Sequence, residues 1–220
     1  MKRILLAALL IPAAAAFADD DERGSRFAVT VTNITAHQVF TPIVVASHRE
    51  GVRLFSLGQA AGVPLEVLAE GGDTAPLKTM LMSNPAVKSV ADSGAPLGPG
   101  QSVTVMVDAQ GAFDHISLAS MLVPTNDAFL ALNGVEGPKG SRTLALFSPA
   151  YDAGTEANDE NCASIPGPPS VCTGQGFNES RAGAEGFVHI HRGIHGIASL
   201  MAARWDWRNP VAYITIRRVR

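Results

Sequence analysis

The strictest constraint on the fold is a period of two. In "RFAVTVTNIT", Phe27, Val29 and Val31 alternate with Ala28, Thr30 and Thr32, so an extended chain buries one row of side chains and leaves the other half exposed. The same style returns in "SVTVMVDA", "FDHISLASMLVPT" and "DAFLALNGV", each bounded by Asp, Gly, Asn or Pro, and again in the closing "PVAYITIRRV". "QVFTPIVVAS" follows it too, broken by Pro42, which suits an edge or a bulge. The second of the later runs is the longest and is expected at the centre of its sheet. Only Ser56 to about Ser83 departs from the pattern: Leu65, Leu68 and Ala69, then Leu77, Met80 and Leu81, recur at helical spacing. Two short helices are expected there, meeting at Gly71-Gly72, with Asp73 or Thr74 capping the second. The segment "NPAVKSVADSGAPLGPG" reads as loop. Strands at both ends, many turns and one short helical insertion predict an all-β antiparallel sandwich.

The amino terminus predicts the compartment. Met1, Lys2 and Arg3 precede an apolar run to Phe17, closed by Ala16-Phe17-Ala18, a small-x-small cleavage pattern. That run is shorter than the roughly 20 residues a bilayer span needs. Residues 1–18 are therefore expected to be an export signal, 19–26 a charged leader and 27–220 one domain, periplasmic or extracellular, with no later span. A net charge of −3 leaves no basic face for nucleic acid. In an oxidising compartment Cys162 and Cys172, the two cysteines of the chain, are expected to pair and to staple the Pro/Gly-rich "CASIPGPPSVC". Closing so short a loop restricts the unfolded chain by about 3 kcal/mol in the entropy model.

Three of the six histidines fall in "EGFVHIHRGIHG". On a strand, His189 and His191 point to one face and Val188 and Ile190 to the other, while His195 follows a turn at Gly193 that can fold it back. Three imidazoles suffice for zinc or copper, with a fourth position for water or a carboxylate. A strand whose histidines only bond the backbone has the same sequence. Glu185 is the nearest carboxylate, but along an extended strand it lies beyond easy reach of His189. No G-x-S-x-G, P-loop or G-x-G-x-x-G is present, and no base is identified for Ser199, so hydrolytic or nucleophilic catalysis is not expected; a non-enzymatic module is the first reading and a histidine-ligated exported metalloprotein, conceivably an enzyme, the alternative.

"SLASMLVPTNDAFLALNGV", then "DAGT" at 152–155, then the final "VAYITIRRV" resemble, in order and spacing, the spondin N-terminal domain. The resemblance runs from about Phe27 to Val219, and the helical segment and "EGFVHIHRGIHG" are similar to its bacterial exported branch. It implies a C2-like sandwich, a calcium site made by acidic loop residues at one end, and adhesion to an envelope or extracellular protein or glycan. The acidic positions carried over are Asp127, Asp152 and Asp108. The same aspartates also have the composition of Asx-turns, and adjacent strands end at opposite ends of a sheet, so the three need not converge. Glu156, Asp159 and Glu160 are expected on a solvated face of the same loop.

Overall fold

The structure, a computed structural model, describes residues 24–219. The expected export signal and most of the leader lie outside the described residues. The strands are β1 (Arg26–Asn33), β2 (Val39–Phe40), β3 (Val44–His48), β4 (Val87–Asp92), β5 (Ser102–Asp108), β6 (His115–Val123), β7 (Ala128–Glu136), β8 (Thr143–Ser148), β9 (Ala150–Asp152), β10 (His189–Ile190) and β11 (Ala212–Val219). The helices are α1 (Val63–Gly71), α2 (Ala75–Met82) and α3 (Ala202–Trp205). The sandwich starts with Ser25 and Arg26, slightly ahead of the expected boundary: Ser25 is buried and its hydroxyl donates to the Ala109 carbonyl.

All pairings are antiparallel. One sheet runs β5-β1-β11-β8, the other β10-β9-β7-β6-β3-β4, with β2 pairing β6. Phe27, Val29 and Val31 meet Ile116, Leu118, Leu122 and Leu130 in the core between the sheets. A second core lies on the outer face of the larger sheet, where Leu65, Leu68, Leu77 and Leu81 of the two helices cover Val44, Ala119, Phe129 and Ala131. Each of those leucines is essentially inaccessible and contributes about 2 kcal/mol by its burial. β6 and the first half of β7 are therefore buried on both faces, which is why "SLASMLV" and "AFLAL" read as nearly unbroken apolar runs.

Pro42 falls in the gap between β2 and β3, and Gly72, at φ 69°, closes α1. Asp73 Oδ1 accepts the Ala75 N–H at 2.9 Å at the start of α2. The segment expected as loop after α2 instead contains β4, an edge strand on β3. Its residues are only half buried, so no alternation marks it, and Pro and Gly on either side disguise it. The two cysteines form a disulfide, Cys162–Cys172. Among the described residues no helix is long and apolar enough to cross a membrane.

Candidate metal centre

Strand register decides which acidic side chains meet. Ala128 of β7 pairs with Asp152 of β9, and Asp152 pairs in turn with His189 of β10. Asp127, Asp152 and His189 are thereby brought to one end of the larger sheet. Asp108 is not among them. It ends β5 at the other end of the sandwich, where Ser47 beside His48 bonds its carbonyl, and its carboxylate pairs with Arg26 at 3.2 Å in solvent. Of the three aspartates, two converge and one is an ordinary surface acid.

Asp127 is fully buried. Its Oδ2 accepts the N–H of Thr155 (2.8 Å), the N–H of Glu156 (3.2 Å) and the Thr155 hydroxyl (3.2 Å), which clamps the 153–156 turn onto the start of β7. Its Oδ1 is buried with no hydrogen-bond partner. Desolvation, with the Asp152 carboxylate second, pushes the Asp127 carboxyl up to about 8. Asp152, 1% exposed, accepts from Gly154 N–H on Oδ1 and from Asn158 Nδ2 on Oδ2, both at 2.8 Å. The turn-building role of an Asx residue and the carboxylate cluster therefore coexist at Asp152, whose affinity for a proton is also raised by burial.

The charges of the following loop are not solvated as expected. Glu156 is 5% exposed, accepts from Asn178 Nδ2 through Oε1, and leaves Oε2 buried without a partner. Burial, then the Glu70 and Asp127 carboxylates, push it up to about 8. Glu70 of α1 is fully buried beside it, with Oε2 accepting the Asn178 N–H at 3.0 Å and Oε1 unpartnered; burial raises its proton affinity as well. Glu160, also buried, spends its carboxylate on the N–H groups of His195, Gly196 and Ile197. Asp159 accepts from Asn126 Nδ2 and from Ser164, and so laces the loop to the 124–127 turn. α1, which carries Glu66 as well as Glu70, forms the roof of this cluster: Glu66 is bound through two contacts by Arg181.

The histidines separate. His191 is 5% exposed and both its nitrogens are used: Nδ1 accepts the Gly193 N–H at 2.9 Å, which leaves the proton on Nε2 to donate to Asn158 Oδ1 at 3.0 Å. Burial, then the charge of His189, push it down to about 3, so it is a neutral structural side chain. His195 is exposed on a separate turn, held there through its backbone N–H by Glu160. The three imidazoles do not share a centre. His189 does face the cluster: Nδ1 lies 3.0 Å from the Ile190 carbonyl, while Nε2 is buried, unpartnered and 3.6 Å from Asp152 Oδ1. Glu185 joins it, because the segment ahead of His189 is not a strand. A turn at Gly186, φ 82°, folds the chain back and the Gly186 N–H bonds the Gly154 carbonyl, so ligand atoms of Asp152, Glu185 and His189 lie within 4.8 Å of one another. Gly154 permits this approach: at φ 65° a Cβ there would sit 2.3 Å from the Phe187 carbonyl oxygen.

A family profile described as Spondin_N matches residues 32–161, 130 of the 220 residues. With the two-sheet sandwich it establishes that the chain belongs to the spondin N-terminal domain family. Domains of this family are generally non-enzymatic. No curated protein matches the chain significantly. The match includes Asp108, Asp127, Asp152 and Glu156 and ends before Cys162, Glu185 and the histidine segment.

Proposed function

We propose that the protein is an exported, non-enzymatic binding module of spondin type that holds a calcium ion at Asp127 and Asp152, with the Glu156 carboxyl close by, and uses it to fix the loops of that end for an envelope or extracellular protein or glycan. The observation that carries this reading is the pair of orphaned, buried carboxylate oxygens, Asp127 Oδ1 and Glu156 Oε2, neither of which has a hydrogen-bond partner. Two buried carboxyls that both hold protons up to about pH 8 are groups to which a divalent cation offers what the protein does not. The donors are oxygens, the set calcium prefers, and backbone carbonyls and water complete six to eight ligands in such sites. Bound there, the ion would tie the 124–127 turn to the 152–156 turn. The disulfide and the absence of a spanning helix among the described residues agree with export.

Calcium binding to chelator-treated protein, followed by isothermal titration calorimetry, tests the proposal. One equivalent is expected for the wild type, and Asp127→Asn, which keeps the shape and removes the charge, is expected to weaken it at least about tenfold, or about 1.4 kcal/mol. Absence of calcium binding to the wild type at millimolar concentration contradicts the reading.

A further inference from the structure

We infer that Asp152, Glu185 and His189 form a second metal site beside the calcium pocket, selective for zinc or a similar nitrogen-accepting divalent ion. The inference goes beyond the calcium reading and does not depend on it. Two of its three donors lie outside the family match, and one is a nitrogen, which calcium disfavours.

The imidazole is already set for a metal. The Ile190 carbonyl, 3.0 Å from Nδ1, takes that nitrogen's hydrogen, and the lone pair is left on Nε2. That nitrogen is buried and unpartnered, 3.6 Å from Asp152 Oδ1. Glu185 closes the triangle, with all three ligand atoms within 4.8 Å. A cation between these ligand atoms would give the buried nitrogen the partner it lacks. Behind them lies Asp127, fully buried with its own orphaned Oδ1.

Supporting contacts around the ligands hold the arrangement. Asn158 Nδ2 donates to Asp152 at 2.8 Å and to Glu185 at 3.2 Å, while its Oδ1 is held by His191. His191 thus positions the carboxylates through Asn158 and is not itself a ligand. A His-carboxylate-carboxylate set with N and O donors near 2.0–2.2 Å suits tetrahedral zinc and leaves one position for water or a donor from a bound partner. Glu185 is exposed, so that position is reachable from solution.

The test is a titration of untagged, chelator-treated full-length protein with zinc chloride in calcium-containing buffer, read by calorimetry and by elemental analysis after desalting. The wild type is expected to bind one equivalent. His189→Ala and Glu185→Gln are expected to weaken zinc by about a hundredfold or more while calcium binding persists. His195→Ala and Asp127→Asn are expected to retain it, with far-ultraviolet circular dichroism confirming the fold of each variant. Zinc binding unchanged in His189→Ala would reveal an adventitious ion at another histidine and overturn the site. Loss in His195→Ala equal to that in His189→Ala would overturn this donor set in favour of three imidazoles, and no zinc on the wild type would leave His189 an ion-pair partner of Asp152. Calcium failure with zinc success, or the reverse, separates the two sites.

Discussion

The two ends of the sandwich treat acidic residues in opposite ways. Where β5 finishes, Asp108 lies 3.2 Å from Arg26, Asp114 2.9 Å from His115 and Glu136 2.9 Å from Lys139, all at least partly in solvent. Such pairs are screened and contribute little, and each acid there has its own base. Where β7 begins, Asp127, Asp152, Glu156 and Glu70 are buried together, and the nearby Arg181 is taken by Glu66. The difference teaches that the orphaned carboxyls of the second end, Asp127 and Glu156, are balanced by a proton in the free protein, a place that the proposed calcium ion would take.

The largest consequence is a pH dependence opposite in sign to that of the first end, where burial lowers the proton affinity of His48. Asp127 and Glu156 hold their protons up to about 8, far above the ordinary carboxylate values near 4 that the unfolded chain restores. The folded state therefore binds protons more tightly than the unfolded state, so their contribution to stability is complete below pH 4 and is lost as pH rises from about 4 through about 8. Buried, neutral His191, pushed down to about 3, acts in the opposite direction up to the ordinary histidine value near 6.5, so metal-free protein is expected to lose a few kcal/mol of stability mainly between about pH 6.5 and 8, measured by urea denaturation, and saturating calcium is expected to flatten the slope. A metal-free stability that rises from pH 6.5 to 8 would erase the contrast between the ends.

The next effect is steric. Gly154 and Gly140 both have φ 65°, but a Cβ at Gly140 meets nothing within 4 Å, while one at Gly154 strikes the Phe187 backbone. Gly140→Ala is expected to cost about 1 kcal/mol, the strain alone, and Gly154→Ala about 2–3 kcal/mol, since Glu185 and His189 are displaced from Asp152 as well. Equal losses of thermal stability would mean that the Gly154 approach is not tight. Smallest of all, Asp108→Asn is expected to change stability by less than about 0.5 kcal/mol and calcium binding not at all.

Much of this was legible in the chain. Period-two runs located most strands, and the paired "PTNDAF" and "DAGT" stretches pointed to Asp127 and Asp152. β4 was not legible, because an edge strand buried on neither face leaves no alternation to read. Glu156 was concealed for a different reason. Its burial comes from α1 and from Asn178, 22 residues along, contacts that no local pattern of charges encodes. Glu185 looked too far from His189 as long as the segment was taken for a strand; the turn at Gly186 and the bond to Gly154 bring it back. Asp108 shares the composition of a site residue, and only strand direction places it at the wrong end.

The central claim is that a calcium ion replaces the missing positive charge around Asp127, and thermal unfolding at pH 8 tests it most directly. Calcium at about a hundred times its dissociation constant should stabilise the wild type by about 2.7 kcal/mol. Asp127→Asn, freed of the buried charge, should melt above metal-free wild type and gain at most about 1.4 kcal/mol from the same calcium concentration. An equal calcium-induced rise in wild type and Asp127→Asn, or none in either, would contradict the account.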